Sequence, residues 1–218
     1  MTDCVSKVDR RVRRSTAALQ HALVELTLEK GYSATTIDDI TNRADVARAT
    51  FYAHYTDKQA LLTSIATDLT DDMTIRFGPR APMSSTTRGE VALEMFRHAE
   101  TNRDIYRVLL GGAGDPPVLH AYVDALAKAA EVIFAARAKS LKVTPRLPVE
   151  FLARMWVGQH VALLSWWLLG DLPYTAEQVA LMRTKYHVNG AEWAHGAAPG
   201  QWVFDASLYG PDAEVPVS

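Results

Sequence analysis

Three side chains in one short stretch, Arg48, Thr50 and Lys58, have the chemistry needed to meet a polyanion. A guanidinium is a rigid fork that matches O6 and N7 of guanine, and a threonine methyl can touch the methyl of thymine. The plainer readings are a solvating arginine and a short residue inside a helix. Lys58 falls in the first turn of a helix, where positive charge opposes the helix dipole. A phosphate shared with the free N–H groups of that turn would explain it. Thr36 has two readings, a helix cap and a hydroxyl that contacts phosphate. Upstream, Lys7 to Arg14 holds five basic residues against one acid. Arg10, Arg11, Arg13 and Arg14 could attract phosphates or reach a minor groove.

These residues can act together only if short elements hold them on one surface. Ile37, Ile40 and Ala44 recur at helical spacing, and Asp38 and Asp39 sit at the positive end of the dipole, so a short helix is predicted. Thr35 or Thr36 caps it. The chain must reverse at Ala44-Asp45-Val46-Ala47, and aspartate is among the few non-glycine residues that tolerate a left-handed backbone. A second short helix then runs from Ala47 to about Tyr55. Val46, Phe51 and Tyr55 face its core side; Arg48, Ala49, Thr50, Tyr52 and His54 face outward. A first helix, from about Asp9 to Lys30, supplies the floor through Val12, Thr16, Leu19, Leu23 and Leu26, and Gly31 stops it.

In order and spacing the segment resembles the helix-turn-helix domain of the tetracycline-repressor (TetR) family of bacterial regulators. The resemblance rests on Glu29-Lys30-Gly31-Tyr32, Thr35-Thr36-Ile37, Ala44-x-Val46, Thr50-Phe51-Tyr52-x-His54-Tyr55 and Asp57-Lys58-x-x-Leu61-Leu62. It implies that Tyr52 and His54 meet the phosphate backbone. It also implies a homodimer on a double-stranded, roughly palindromic operator, and a small-molecule effector that releases the DNA. The chain departs from the family at Asp45, where glycine is usual, and at Ala47, where a serine or threonine cap is usual. Either the second helix lacks a cap or Asp45 supplies one.

The chain has 218 residues and a formal net charge of −2, which argues against a general nucleic-acid coat. Residues 1 to 60 carry nine Lys or Arg against eight Asp or Glu, so the local basic run matters more than the sum. A single cysteine, Cys4, cannot form an internal disulfide. No signal segment is recognisable, so a cytoplasmic location is expected. No His pair at i and i+4, CxxC, nucleophile elbow or phosphate loop is present, so no catalytic residue, metal site or cofactor is expected. The rival readings are a ligand-independent architectural DNA binder and, behind it, an enzyme.

No run alternates apolar and polar residues at useful length, so the expected class is all-α, with a three-helix reader and a helical bundle behind it. We divide it as residues 1–60 (reader), 61–195 (regulation and dimerisation) and 196–218 (tail). In the body, helices are expected from Asp57 to about Phe77, Arg88 to Ala99, Asn102 to Leu110, along Val118 to Ala136, over Val149 to Leu169, and from Thr175 to about Tyr186 with a continuation toward Trp193. The Val149 to Leu169 helix is apolar nearly all round, and Arg154, Gln159 and His160 interrupt it too often for a membrane span. One stripe, Phe151, Met155, Ala162, Trp166 and Leu169, is expected to face a second subunit. Gly158, Ala162 and Ser165 would let that partner helix approach. Trp166 to Leu169 followed by Pro173-Tyr174-Thr175-Ala176-Glu177 resembles a regulatory domain found in part of the same family, whose last two helices pair between subunits. Candidate pocket residues are Phe96, Tyr106, Tyr122, Trp156, His160 and Trp167, each of which can equally be ordinary core.

Overall fold

A computed structural model describes residues 2–77, 85–111, 115–170 and 173–196. The described residues form nine helices and no strand: α1 (Thr2–Lys30), α2 (Ile37–Ala44), α3 (Arg48–His54), α4 (Lys58–Phe77), α5 (Ser85–Thr101), α6 (Arg103–Leu110), α7 (Pro116–Leu141), α8 (Val149–Leu169) and α9 (Ala176–Ala194). The predicted all-α class therefore holds. α1 begins at Thr2 rather than Asp9, and α5 at Ser85 rather than Arg88. No proline or glycine precedes Asp9 to stop a helix from extending backward. The tail expected at 196–218 lies outside the described residues except for Gly196.

Gly31 ends α1 with a φ of +84°, and its N–H returns to the Thr27 carbonyl at 2.9 Å. Because that backbone conformation costs glycine little, the chain turns at once into the loop before α2. The reader core then closes on Leu19, Leu23, Ile40, Phe51, Leu61 and Leu62, all buried completely. Burying a side chain of this size stabilises by about 1.5–3 kcal/mol. α1 is long enough to pack on α2, α3 and α4 in the reader and on α6 in the body. α4 likewise leaves the reader and packs on α7. The boundary expected at residue 60 thus falls within the first turn of a helix shared by both parts.

In the body the closest pairs are α5 with α9 and α7 with α8. The two apolar stripes of α8 separate as their spacing predicts. Trp167 is buried and Leu152, Trp156 and Leu163 are half-buried, whereas Phe151, Met155, Ala162, Trp166 and Leu169 are exposed. α9 breaks its helical geometry at Gly190, with φ 85° and ψ 177°. Among the described residues no helix is long and apolar enough to cross a membrane.

Candidate nucleic-acid interface

The turn that aims α3 is built from local hydrogen bonds. Thr36 is the N-cap of α2: its hydroxyl accepts the Asp39 N–H at 3.1 Å, and its own N–H donates to the Asp39 carboxylate at 2.8 Å. This reciprocal capping box satisfies two otherwise unpaired donors. Lys30 reaches the same carboxylate at 2.8 Å, and with the Thr36 hydroxyl it holds Asp39 well below the usual carboxylate range. Asp45 adopts the left-handed conformation its type allows, φ 52° and ψ 47°, and its N–H closes the end of α2 on the Asn42 carbonyl. Asp45 is thus the C-cap of α2. Ala47 is the N-cap of α3, with extended backbone and no side-chain cap.

Phe51 anchors α3 with no exposed surface, its ring edge-on to Tyr52 at 5.4 Å. With that face fixed, Arg48, Ala49, Tyr52 and His54 are exposed and Thr50 is half-buried. The Arg48 guanidinium is held by local contacts. It donates to the exposed Asp38 carboxylate at 2.5 Å and to the Tyr52 hydroxyl at 3.4 Å, and it lies over the Tyr52 ring. The Tyr52 contact and the Asp38 charge raise its pKa further. An exposed pair of this kind is screened by water and contributes little to stability, so Asp38 is readily exchanged for a stronger acceptor.

Two candidates have other employment. The Thr36 hydroxyl is engaged in the capping box. Lys58 Nζ donates to the Tyr32 carbonyl and to the Thr35 carbonyl at 2.7 Å, and stands 4.1 Å from the centre of the Tyr32 ring. The unfavourable charge in the first turn of α4 therefore has a structural reason, since it ties α4 to the loop before α2. Burial lowers the Lys58 pKa. Arg10, Arg11, Arg13 and Arg14 are exposed along α1.

Behind the reader a chain of polar contacts joins α4 to the body. His98 of α5 bonds Asp72 of α4 at 2.7 Å through Nε2 and the Tyr106 hydroxyl at 3.1 Å through Nδ1, and Tyr122 bonds Tyr106. Burial lowers the His98 pKa, so the neutral ring donates to Asp72 and accepts from Tyr106. Burial likewise pushes Tyr106 up to about 12. Sequence reasoning missed Asp72 and His98, which meet only once α4 packs on α7 and its Asp72 reaches α5.

A cavity of about 460 Å³ lies among α5, α7, α8 and α9. Its walls are mainly apolar, including Met95, Leu126, Ile133, Phe134 and Leu152. Of the six predicted pocket residues, Trp156 lines it. Phe96, Tyr106, Tyr122, His160 and Trp167 are instead packed in the core. Phe96 meets the rings of His160 and Trp167 edge-on, and His160 stacks on Trp156 at 5.6 Å. Burial, then the nearby Arg183 charge, pushes His160 down to about 3. Sequence reasoning also missed Arg183, which lies over Trp156 at 4.9 Å and reaches the cavity wall. Of the predicted dimer residues, Phe151, Met155, Gly158, Ala162 and Trp166 are exposed and Ser165 is half-buried; Met155 also borders the cavity.

Residues 19–65 match the family of bacterial regulatory proteins described as the tetR family, and residues 87–187 match a transcriptional regulator C-terminal region. The uncharacterized HTH-type transcriptional regulator YxbF of Bacillus subtilis is 31% identical over 157 residues, 70% of this chain and 40% of that protein. The chain thus spans well under half of this relative's length. Among solved structures, a TetR-family regulator of Syntrophomonas wolfei aligns with a TM-score of 0.72 at 18% identity, covering 88% of this chain and 99% of its own. A TetR regulator of Streptococcus agalactiae aligns with a TM-score of 0.59 at 24% identity, covering 84% and 98%. A capped α2, a left-handed turn and an α3 with a polar outer face occur where the first family match lies, and the helical body where the second lies: the chain belongs to the TetR family of bacterial regulatory proteins.

Proposed function

We propose that the protein is a homodimeric transcriptional repressor that reads a palindromic operator with α3 and lets go when a small molecule enters the cavity of the body. The observation that carries this reading is the outer face of α3. Arg48 is ordered there and exchangeable, beside the exposed Tyr52 and His54, on a helix pinned from behind by Phe51. In this reading Arg48 contacts bases, Thr50 and Ala49 line the groove, and Tyr52 and His54 hold phosphates. The Thr36 and Lys58 positions bring phosphate close to donors already used inside the protein.

One reader makes too few contacts for selectivity, so a second copy is needed. The exposed stripe Phe151, Met155, Gly158, Ala162 and Trp166 on α8 supports pairing there, and α9 also exposes Leu181 and Met182. A twofold pair would set its α3 helices about 34–36 Å apart, one turn of DNA. α5 suggests how the cavity reaches the reader: Ala92 and Met95 line the cavity, while His98, one turn on, holds Asp72 of α4. A ligand that moves α5 shifts the helix that carries the reader, with a coupling of ~1–3 kcal/mol.

Selection from random DNA tests the reading. The wild-type protein should return a palindrome, and Arg48→Ala should lose ~1–3 kcal/mol of affinity and relax one base position in each half-site. Enrichment of no sequence, with strong salt dependence, would favour an architectural binder.

A further inference from the structure

Arg183 is an expensive residue to place where it is. Only 9% of it is exposed, and Nε and Nη2 lack any hydrogen-bond partner among the described residues. The guanidinium lies over the Trp156 ring, a contact that gives Nε and Nη2 no acceptor. By atom naming, Nε and Nη2 share one edge of the group, the two-pronged edge that fits a carboxylate or phosphate. A buried charge with a vacant fork calls for a counter-charge.

The cavity beside it has a matching character. Among the described residues its lining includes Arg137 and Arg183 but no aspartate or glutamate, and the remaining wall is mostly aliphatic and aromatic. Its volume, about 460 Å³, corresponds to ~15 waters at about 30 Å³ each, within the usual range of ligand sites. A neutral apolar occupant would leave the fork unpaired. A small inorganic anion would leave the apolar wall wet.

We propose that Arg183 anchors the head of an amphipathic oxyanion, whose apolar body fills the space between α5, α7 and α8. This rests on reading the cavity as the effector site and names the chemical class of its ligand. Trp156 lies between the two parts of the site, under the guanidinium and on the cavity wall. Its fluorescence should report occupancy.

The test titrates the full-length protein with dodecanoate, dodecyl phosphate and dodecanol, each below its aggregation concentration, following Trp fluorescence and binding heat without DNA. At least one anion should bind ~10-fold or more tightly than the alcohol. Whichever anion binds better distinguishes a planar from a tetrahedral head. Arg183→Met should bring the ratio to about one while dodecanol binding persists. If that variant fails to fold, Arg183→Lys keeps the charge but loses the fork, and should weaken the preferred anion several-fold. Equal binding of all three probes, binding of none, or an anion preference that survives either substitution would overturn the proposal. Operator release is measured separately. Arg183-dependent anion binding without release leaves the anchor standing and removes the switch; release by all three probes alike removes the anchor and leaves the switch.

Discussion

Ala47 separates what stabilises the reader from what lets it bind. It occupies the N-cap of α3 with φ −61° and ψ 139°, the extended conformation that a capping residue needs, yet offers no side-chain acceptor. The Ala47 carbonyl already accepts the Thr50 and Phe51 N–H groups at 2.8 and 3.2 Å. A serine hydroxyl could therefore bond the Ala49 or Thr50 N–H without backbone movement. Ala47→Ser should stabilise by about 1 kcal/mol. For a chain of this size that raises the melting temperature by ~2–4 °C. Ala47→Asp caps equally well and adds ~0.3–1 kcal/mol from the helix dipole. In the complex, however, its charge would face the DNA. Against one phosphate about 8 Å away, at an effective dielectric near 20, repulsion is ~2 kcal/mol, or roughly 30-fold in affinity. Circular-dichroism melts and fluorescence anisotropy on the selected operator would measure both. The expected pattern is two stabilised variants, of which the aspartate binds far more weakly. If Ala47→Asp binds operator as tightly as the wild type, the N-terminus of α3 does not face DNA. If neither substitution raises the melting temperature, the assigned cap is wrong.

Lys58→Met should remove donors from the Tyr32 and Thr35 carbonyls, costing ~1–2 kcal/mol and several degrees of melting temperature; a change confined to the salt dependence of DNA binding would instead mark a pure phosphate contact. Gly158 has open space where a side chain would begin. Gly158→Leu should thus leave the folded protomer intact while light scattering finds half the dimer mass, and an undiminished dimer would move the interface away from this part of α8. Acid should destabilise through His160, because its folded pKa of about 3 lies below the unfolded value near 6.5. The unfolded chain takes up the proton first, so this contribution to stability is present above about 6.5 and is lost as pH falls toward 3. At pH 5 the loss relative to pH well above 6.5 is about 2 kcal/mol. His98, also shifted downward, acts in the same direction. His160→Leu should flatten the dependence of melting temperature on pH between 5 and 7, and an unchanged slope would refute the assignment.

The parts of the reader legible in sequence depend on neighbours within a few residues. Thr36 and Asp39 cap each other across three positions, Asp45 turns because of its own side chain, and Phe51 is buried by the spacing of one short helix. The bounds of α8 follow likewise from Pro148 before it and Gly170 after it. Even the sorting of its two stripes was available, because period alone separates Trp156 from Trp166. Lys58 was harder. Its charge looks free until the loop before α2 is folded over it, and the carbonyls it binds lie 23 and 26 residues away.

Burial alone did not separate pocket from core in the body. Tyr106 and Tyr122 look like ligand-facing aromatics in a list of residues, but each spends its hydroxyl on an internal bond. Arg183 looks like an ordinary charge on an amphipathic helix, flanked by exposed Met182 and half-buried Thr184. Its meaning depends on α5, α7 and α8 lining one cavity with it and, among the described residues, bringing no acid to that lining. A sequence can encode an attraction between neighbours, but a missing partner is visible only after every helix is in place. That asymmetry places the proposed DNA-reading surface within reach of local pattern, and leaves the chemistry of the proposed effector to the packed bundle, where one vacant guanidinium edge carries more information than the aromatic residues around it.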